Sequence, residues 1–188
     1  MPNIIMITGE HENQEAVEYL ISYIYDSPYF RMGDAYMTFS DDRTAIINSF
    51  KLVQDHYNIT SGRRLQHIII GFEDREGVTL SGLNFIAQQA AIFIGQRFQC
   101  CYGIHCGSEH HSGYDHIHLA VNAFSYVDGS KYYERWDNLR ALRNYLDQVT
   151  KGNFDWNMYM KKSNPYIEEC LGDGFVYREK ELIRAERL

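Results

Sequence analysis

Residues 114–126 read YDHIHLAVNAFSY, with two histidines at alternating positions inside an otherwise apolar run. Side chains along a strand point to opposite faces in turn. His116, His118, Ala120 and Asn122 therefore share one face, and Ile117, Leu119 and Val121 the other. The apolar set can pack on helices, whereas the first set is polar and faces away from that core. Upstream, QCCYGIHC (99–106) reads as a second strand, with Cys101, Gly103 and His105 on one face. The intervening GSEHHSG (107–113) is a flexible turn, so the two strands form a hairpin.

That hairpin can bring His105 beside His116 and His118. An HxH alone is commonly a pair of hydrogen-bonded histidines, but a third imidazole at hairpin spacing makes a metal centre. Three nitrogen ligands from rigid elements leave coordination positions open, as catalytic rather than structural sites do. Imidazole accepts zinc, manganese, nickel or cobalt. His110 and His111, in the turn, are assigned to the solvated surface. No HExxH spacing occurs, so a zinc-peptidase site has no motif.

Working outward, NIIMIT (3–8) is a short buried strand and NQEAVEYLISYIY (13–25) has helical apolar spacing, with Asn13 as its N-cap. Residues 27–42 are Gly/Pro-marked and polar, and read as a connection. Asp41 or Asp42 starts a helix through RTAIINSFKLVQDHYN, and TSGRR turns the chain into a β-branched central strand, LQHIIIGF (65–72). A third helix starts at Thr79 or Ser81, and YYERWDNLRALRNYLDQVTK forms a fourth after a VDGS turn. After Gly152 the pattern weakens, and REKELIRAERL reads as a charged terminal helix. The expected class is α+β, an antiparallel sheet with helices packed on one face and the metal site on the other.

Composition limits the alternatives. The chain has 188 residues, 45% hydrophobic, which suits a globular domain with a proper core. No apolar run approaches a membrane span, and the N-terminus lacks a signal peptide's features, so the expectation is a cytoplasmic protein without a membrane partner. Four cysteines without CxxC spacing fit a reducing compartment. The net charge of −7 argues mildly against nucleic acid. Among 15 tyrosines, Tyr19 and Tyr23 sit four apart on one helical face. A phenol beside a metal-bound phosphate can act as a covalent nucleophile.

Four segments in order resemble the mobilization relaxases, which belong to the HUH endonucleases. They are NQEAVEYL (13–20), the stretch from Thr44 to Phe72, GIHCGSEHHSGYDHIHLAVNAF (103–124), and YVDGSKYYERWDNLRALRNYLDQV (126–149). The resemblance spans roughly residues 13–150 and implies a relaxase-like nuclease domain over 1–152 with a C-terminal extension over 153–188. It implies site- and strand-specific nicking and joining at a transfer origin through a 5′-phosphotyrosyl intermediate, in mobilization or conjugative transfer of a plasmid or integrated element. Carried over by position, Tyr19 is the nucleophile and His105, His116 and His118 bind a divalent metal, Mn2+ or Mg2+, with Zn2+ or Ni2+ as alternatives in isolated protein. The metal would polarise the scissile phosphate. Implied partners are single-stranded DNA at a nick site, accessory DNA-binding proteins and transfer machinery.

Departures from the family pattern open further assignments. Gly107 stands where members commonly have Asp, so Glu109 or Asp115 would orient an imidazole, with Asn122 and His67 as further residues behind the ligands. The usual Asn-Pro-x-Lys after the tyrosine is missing, which makes Tyr23 an alternative nucleophile and Tyr25 a remote one. Arg63, Arg64, Lys131 and Arg135 are the expected DNA contacts, with Arg140, Arg143, Lys161 and Lys162 as other local basic groups. Two other classes remain: a single-stranded-DNA-binding module with decayed chemistry, and a three-histidine enzyme acting on a small molecule.

Overall fold

The computed structural model describes residues 1–162, apart from 10, 12, 14, 74, 75 and 108–113. In chain order the elements are β1 (Asn3–Thr8), α1 (Ala16–Tyr25), β2 (Phe30–Tyr36), α2 (Arg43–His56), β3 (Leu65–Glu73), α3 (Leu80–Gly95), β4 (Phe98–His105), β5 (Tyr114–Ser125), α4 (Trp136–Val149) and β6 (Asn157–Lys162). The strands form one sheet in the order β2-β4-β5-β3-β1-β6. Every pairing is antiparallel except β1 with β6. The class is α+β, as expected. Among the described residues, no helix is long and apolar enough to cross a membrane.

Alternation along β5 divides the interior. Ile117, Leu119 and Val121 point to one face, where Leu83, Ile86, Ala87, Ala90 and Ile94 of α3 and Leu139, Leu142 and Leu146 of α4 bury them. The histidine face is not left bare. Val17, Leu20, Ile21 and Ile24 of α1 and Ile46, Ile47 and Phe50 of α2 pack there against Leu65, Cys101 and Ala120. Helices therefore lie on both faces. The apolar residues of this second pair cover the part of the sheet next to the imidazoles, and the C-terminal turn of α1 reaches the imidazoles through Tyr23 and Ile24.

Two features fix this second layer. A Cβ added at Gly103 would lie 2.4 Å from Ile24 Cγ2, so the missing side chain is what lets α1 close onto β4. A buried amide network then ties α2 to the sheet. Gln54 donates to Asn122 Oδ1 (3.1 Å), while Asn122 Nδ2 donates to Gln99 Oε1 (2.9 Å) and to the Phe50 carbonyl (3.1 Å). Gln99 in turn donates to Ser49 Oγ at 2.7 Å. A fully satisfied buried network of this kind specifies one packing arrangement.

Helix starts follow capping chemistry. Asp42 caps α2 by accepting from the Thr44 and Ala45 amides, and Thr79 caps α3 by accepting from Gly82. The first helix begins at Ala16, not Asn13; Glu15 holds its N-cap position without a side-chain cap bond. Two strands lie where none was expected. β2 occupies the supposed connection, and β6 follows Gly152, sending Met158 and Met160 into the core beneath α4. The sheet thus extends past residue 152. The expected terminal helix lies outside the described residues.

Candidate metal centre

His105 at the end of β4 and His116 on β5 are paired in register, and His118 follows on the same face. All three are buried. Each offers a ring nitrogen, and these ligand atoms lie within 4.8 Å of one another. The outer nitrogens are engaged. His105 Nε2 lies 2.7 Å from the Ile24 carbonyl, His116 Nδ1 lies 3.3 Å from the Tyr114 carbonyl, and His118 Nδ1 lies 2.9 Å from His67 Nε2. Ring orientation held by an outer hydrogen bond is the usual arrangement behind metal-ligating histidines.

The donor set fits a metal ion. His118 Nε2 is buried and has no hydrogen-bond partner in the protein. Leaving a buried polar atom unsatisfied costs about 1–3 kcal/mol, a penalty that coordination would remove. Burial, reinforced by the neighbouring imidazoles, holds His118 and His67 well below the usual histidine range. Their rings are therefore neutral near pH 7, the form that ligates.

Of the two expected nucleophiles, Tyr23 is half-buried over the cluster. Its ring centroid is 5.4 Å from that of His118 and 6.3 Å from that of His105. Tyr19, one turn earlier, is 61% exposed. Tyr25 belongs elsewhere: its hydroxyl donates to the Asp34 carbonyl at 3.3 Å, and burial pushes its pKa far above that of an ordinary phenol.

His67 faces the site and contacts a ligand. The other residues expected behind the ligands do not stand there. Asn122 belongs to the amide network that clamps α2, because its strand position sets it under that helix. Asp115 points to the opposite face and accepts from the Gly107 amide at 3.2 Å. Glu109, with His110 and His111, lies outside the described residues.

The basic residues divide. Arg64 is interior, 3% exposed, and its guanidinium donates to the Ile59 carbonyl at 2.7 Å. It braces the turn into β3 and offers no surface to DNA, contrary to expectation. Arg63 pairs with Glu134. Lys131 bridges to Phe124 across the backbone, and Arg135 stacks over Tyr133 at 4.8 Å. Phe124 is six residues from His118, so the Lys131 backbone lies roughly 20 Å along β5 from the imidazoles.

Three contributors escaped the sequence reading. His11, in the turn between β1 and α1, has its ring 6.0 Å from that of His67, and burial and then Arg63 push it down to about 4. Tyr114 tilts against His116 with centroids 5.8 Å apart. Gly71 lies under the Tyr114 phenol. For the last two, the alternation that revealed the histidines was the available signal, since Tyr114 and Gly71 share their face.

Comparison with known proteins places the site in a family. The family model described as "Relaxase: MobA/VirD2-like, nuclease domain" matches residues 31–153, a span that holds all three imidazoles but begins after α1. A search of curated proteins found no match. Similar solved structures include the conjugative relaxase TrwC with oriT DNA in metal-bound form, at 13% identity and TM-score 0.47, covering 81% of this chain and 69% of that one. The metal-free TrwC–oriT complex has 11% identity and TM-score 0.44, covering 88% and 73%.

Proposed function

The chain belongs to the relaxase family of the MobA/VirD2-like nuclease domain, a class of DNA-nicking enzymes, and on that footing we propose that it cuts and rejoins one DNA strand at a transfer origin through Tyr23. The observation that carries this reading is the ring contact of Tyr23 with His118 and His105, above a buried three-imidazole cluster. The Tyr23 oxygen attacks the scissile phosphorus, a 5′-phosphotyrosyl bond forms, and the 3′-oxygen departs. His105, His116 and His118 would hold a divalent cation, which polarises a phosphodiester and stabilises charge that builds on it. His67 fixes the His118 ring through the bond at 2.9 Å.

An all-nitrogen donor set suits Zn2+ or Ni2+ best, whereas Mn2+ and, more strictly, Mg2+ prefer oxygen ligands that phosphate and water would supply at the open positions. The partner is single-stranded DNA, with Tyr23 of α1 at the entrance to the cluster. Mobilization of a plasmid or integrated element is the setting, with accessory proteins supplying affinity that a chain of net charge −7 lacks. Tyr19, exposed on the same helical face, is the second phenol available to a strand entering the site.

A randomised pool of single-stranded oligonucleotides tests this without a defined nick site. The pool is incubated with protein and Mn2+, and DNA that survives denaturation on the protein is sequenced. Wild type should capture a recurrent sequence, Tyr19→Phe should retain capture, and Tyr23→Phe should lose it. Reversible binding without covalent capture by wild type would instead favour a DNA-binding module that has lost its chemistry.

A further inference from the structure

Two phenols, not one, flank the imidazole cluster. Tyr114 lies on the histidine face of β5, two residues before His116, and its ring is tilted 31° to that imidazole. The phenol lies across β3 at Gly71, the residue directly cross-strand from His116. A Cβ at Gly71 would come within 1.9 Å of Tyr114 Oη and 2.7 Å of Cζ, so any other residue there would displace the ring. Tyr23 contacts the other end of the cluster, over His118. Along β5 the order is therefore Tyr114, His116, His118, with Tyr23 above the last.

From this placement we infer that Tyr114 is a second substrate-contacting phenol, one that protonates the 3′-oxygen leaving when Tyr23 attacks. The inference rests on the strand-transfer reading above. In-line displacement sets attacking and leaving oxygens on opposite sides of phosphorus. A phosphate held over the imidazoles with Tyr23 on one side has its leaving oxygen directed toward Tyr114. The Tyr23 oxygen bonds to phosphorus and gives its proton to water. The P–O3′ bond breaks with its electron pair going to O3′, which takes the Tyr114 proton, and Tyr114 recovers a proton from water. Rejoining reverses each transfer: Tyr114 returns its proton to water, accepts the proton of the attacking 3′-hydroxyl, and the departing Tyr23 oxygen takes a proton from water. A phenol is a stronger acid than the sugar hydroxyl it generates, so the transfer to an alkoxide runs downhill.

The experiment uses the full chain, Mn2+, the captured strand, and the same strand with sulfur replacing the bridging 3′-oxygen. A thiolate leaves without needing a proton. Tyr114→Phe is expected to slow adduct formation at least about a hundredfold on the oxygen strand, the lower range for lost acid catalysis, and to match wild type on the sulfur strand. Gly71→Ala, which pushes the phenol aside, should show the same pattern. Mn2+ affinity by calorimetry and the melting temperature of Tyr114→Phe should equal those of wild type, which separates this role from support of His116. Equal rates for Tyr114→Phe and wild type on the oxygen strand, or the same deficit on both strands, would overturn the inference while leaving strand transfer intact. Absence of any wild-type adduct would overturn strand transfer itself.

Discussion

His67 Nε2 lies 2.9 Å from His118 Nδ1, joining the central strand to the metal centre through a buried imidazole pair. The bond fixes the His118 ring plane and directs its Nε2 toward the other two imidazoles. Replacing His67 by Leu should lower Mn2+ or Ni2+ affinity about 10–100-fold, the usual cost of losing a group that orients a ligand. Titration calorimetry measures this directly. Unchanged affinity would mean that His118 is held in place without its neighbour.

Asn122 should behave in the opposite way. Its three amide partners hold α2, so Asn122→Ala leaves Gln54 and Gln99 buried with unsatisfied groups. Each such group costs about 1–3 kcal/mol, which a urea midpoint reports. Metal affinity of the folded variant should stay within error of wild type. A large drop in affinity would restore Asn122 to the surroundings of the ligands.

Gly103 sets the height of α1. Gly103→Ala places a methyl 2.4 Å from Ile24 Cγ2, and overpacking of this kind costs about 1–3 kcal/mol. Because Ile24 adjoins Tyr23 and its carbonyl anchors His105, covalent capture of DNA should fall further than stability does. Equal capture by folded Gly103→Ala and wild type would show that the phenol does not depend on this close approach.

These contrasts bear on what the sequence could convey. Strand alternation placed His105, His116 and His118 on one face because a buried hairpin leaves no other register. It could not show that α1 covers Cys101 and Ala120 from that same side, since Cys and Ala read as core on either face. β2 and β6 went unseen because each is an edge strand paired on one side only, and FRMGDAY, with its glycine and aspartate, looks like a loop. Arg63 and Arg64 are chemically alike, and only the fold shows one paired at the rim and the other bracing a turn. Tyr19 and Tyr23 share a helical face, but depth along that face depends on Gly103, far along the chain on β4.

Acid should weaken the fold through His11 as well. Burial, and then Arg63, lower His11 to about 4, against an ordinary value of 6.5. As pH falls below 6.5 the unfolded chain takes up a proton that the folded chain refuses until about pH 4, so stability drops across that window. His11→Gln should flatten that part of the urea-midpoint profile. Parallel profiles for the two proteins would remove His11 from the balance.

The most direct measurement is identification of the residue that carries DNA. Wild type is incubated with Mn2+ and the captured strand, the adduct is digested with protease and nuclease, and the modified peptide is fragmented by tandem mass spectrometry. A nucleotide joined through its 5′-phosphate to Tyr23 is the expected product. Linkage at Tyr19 or at any other side chain, or through a 3′-phosphate, would contradict strand transfer by Tyr23.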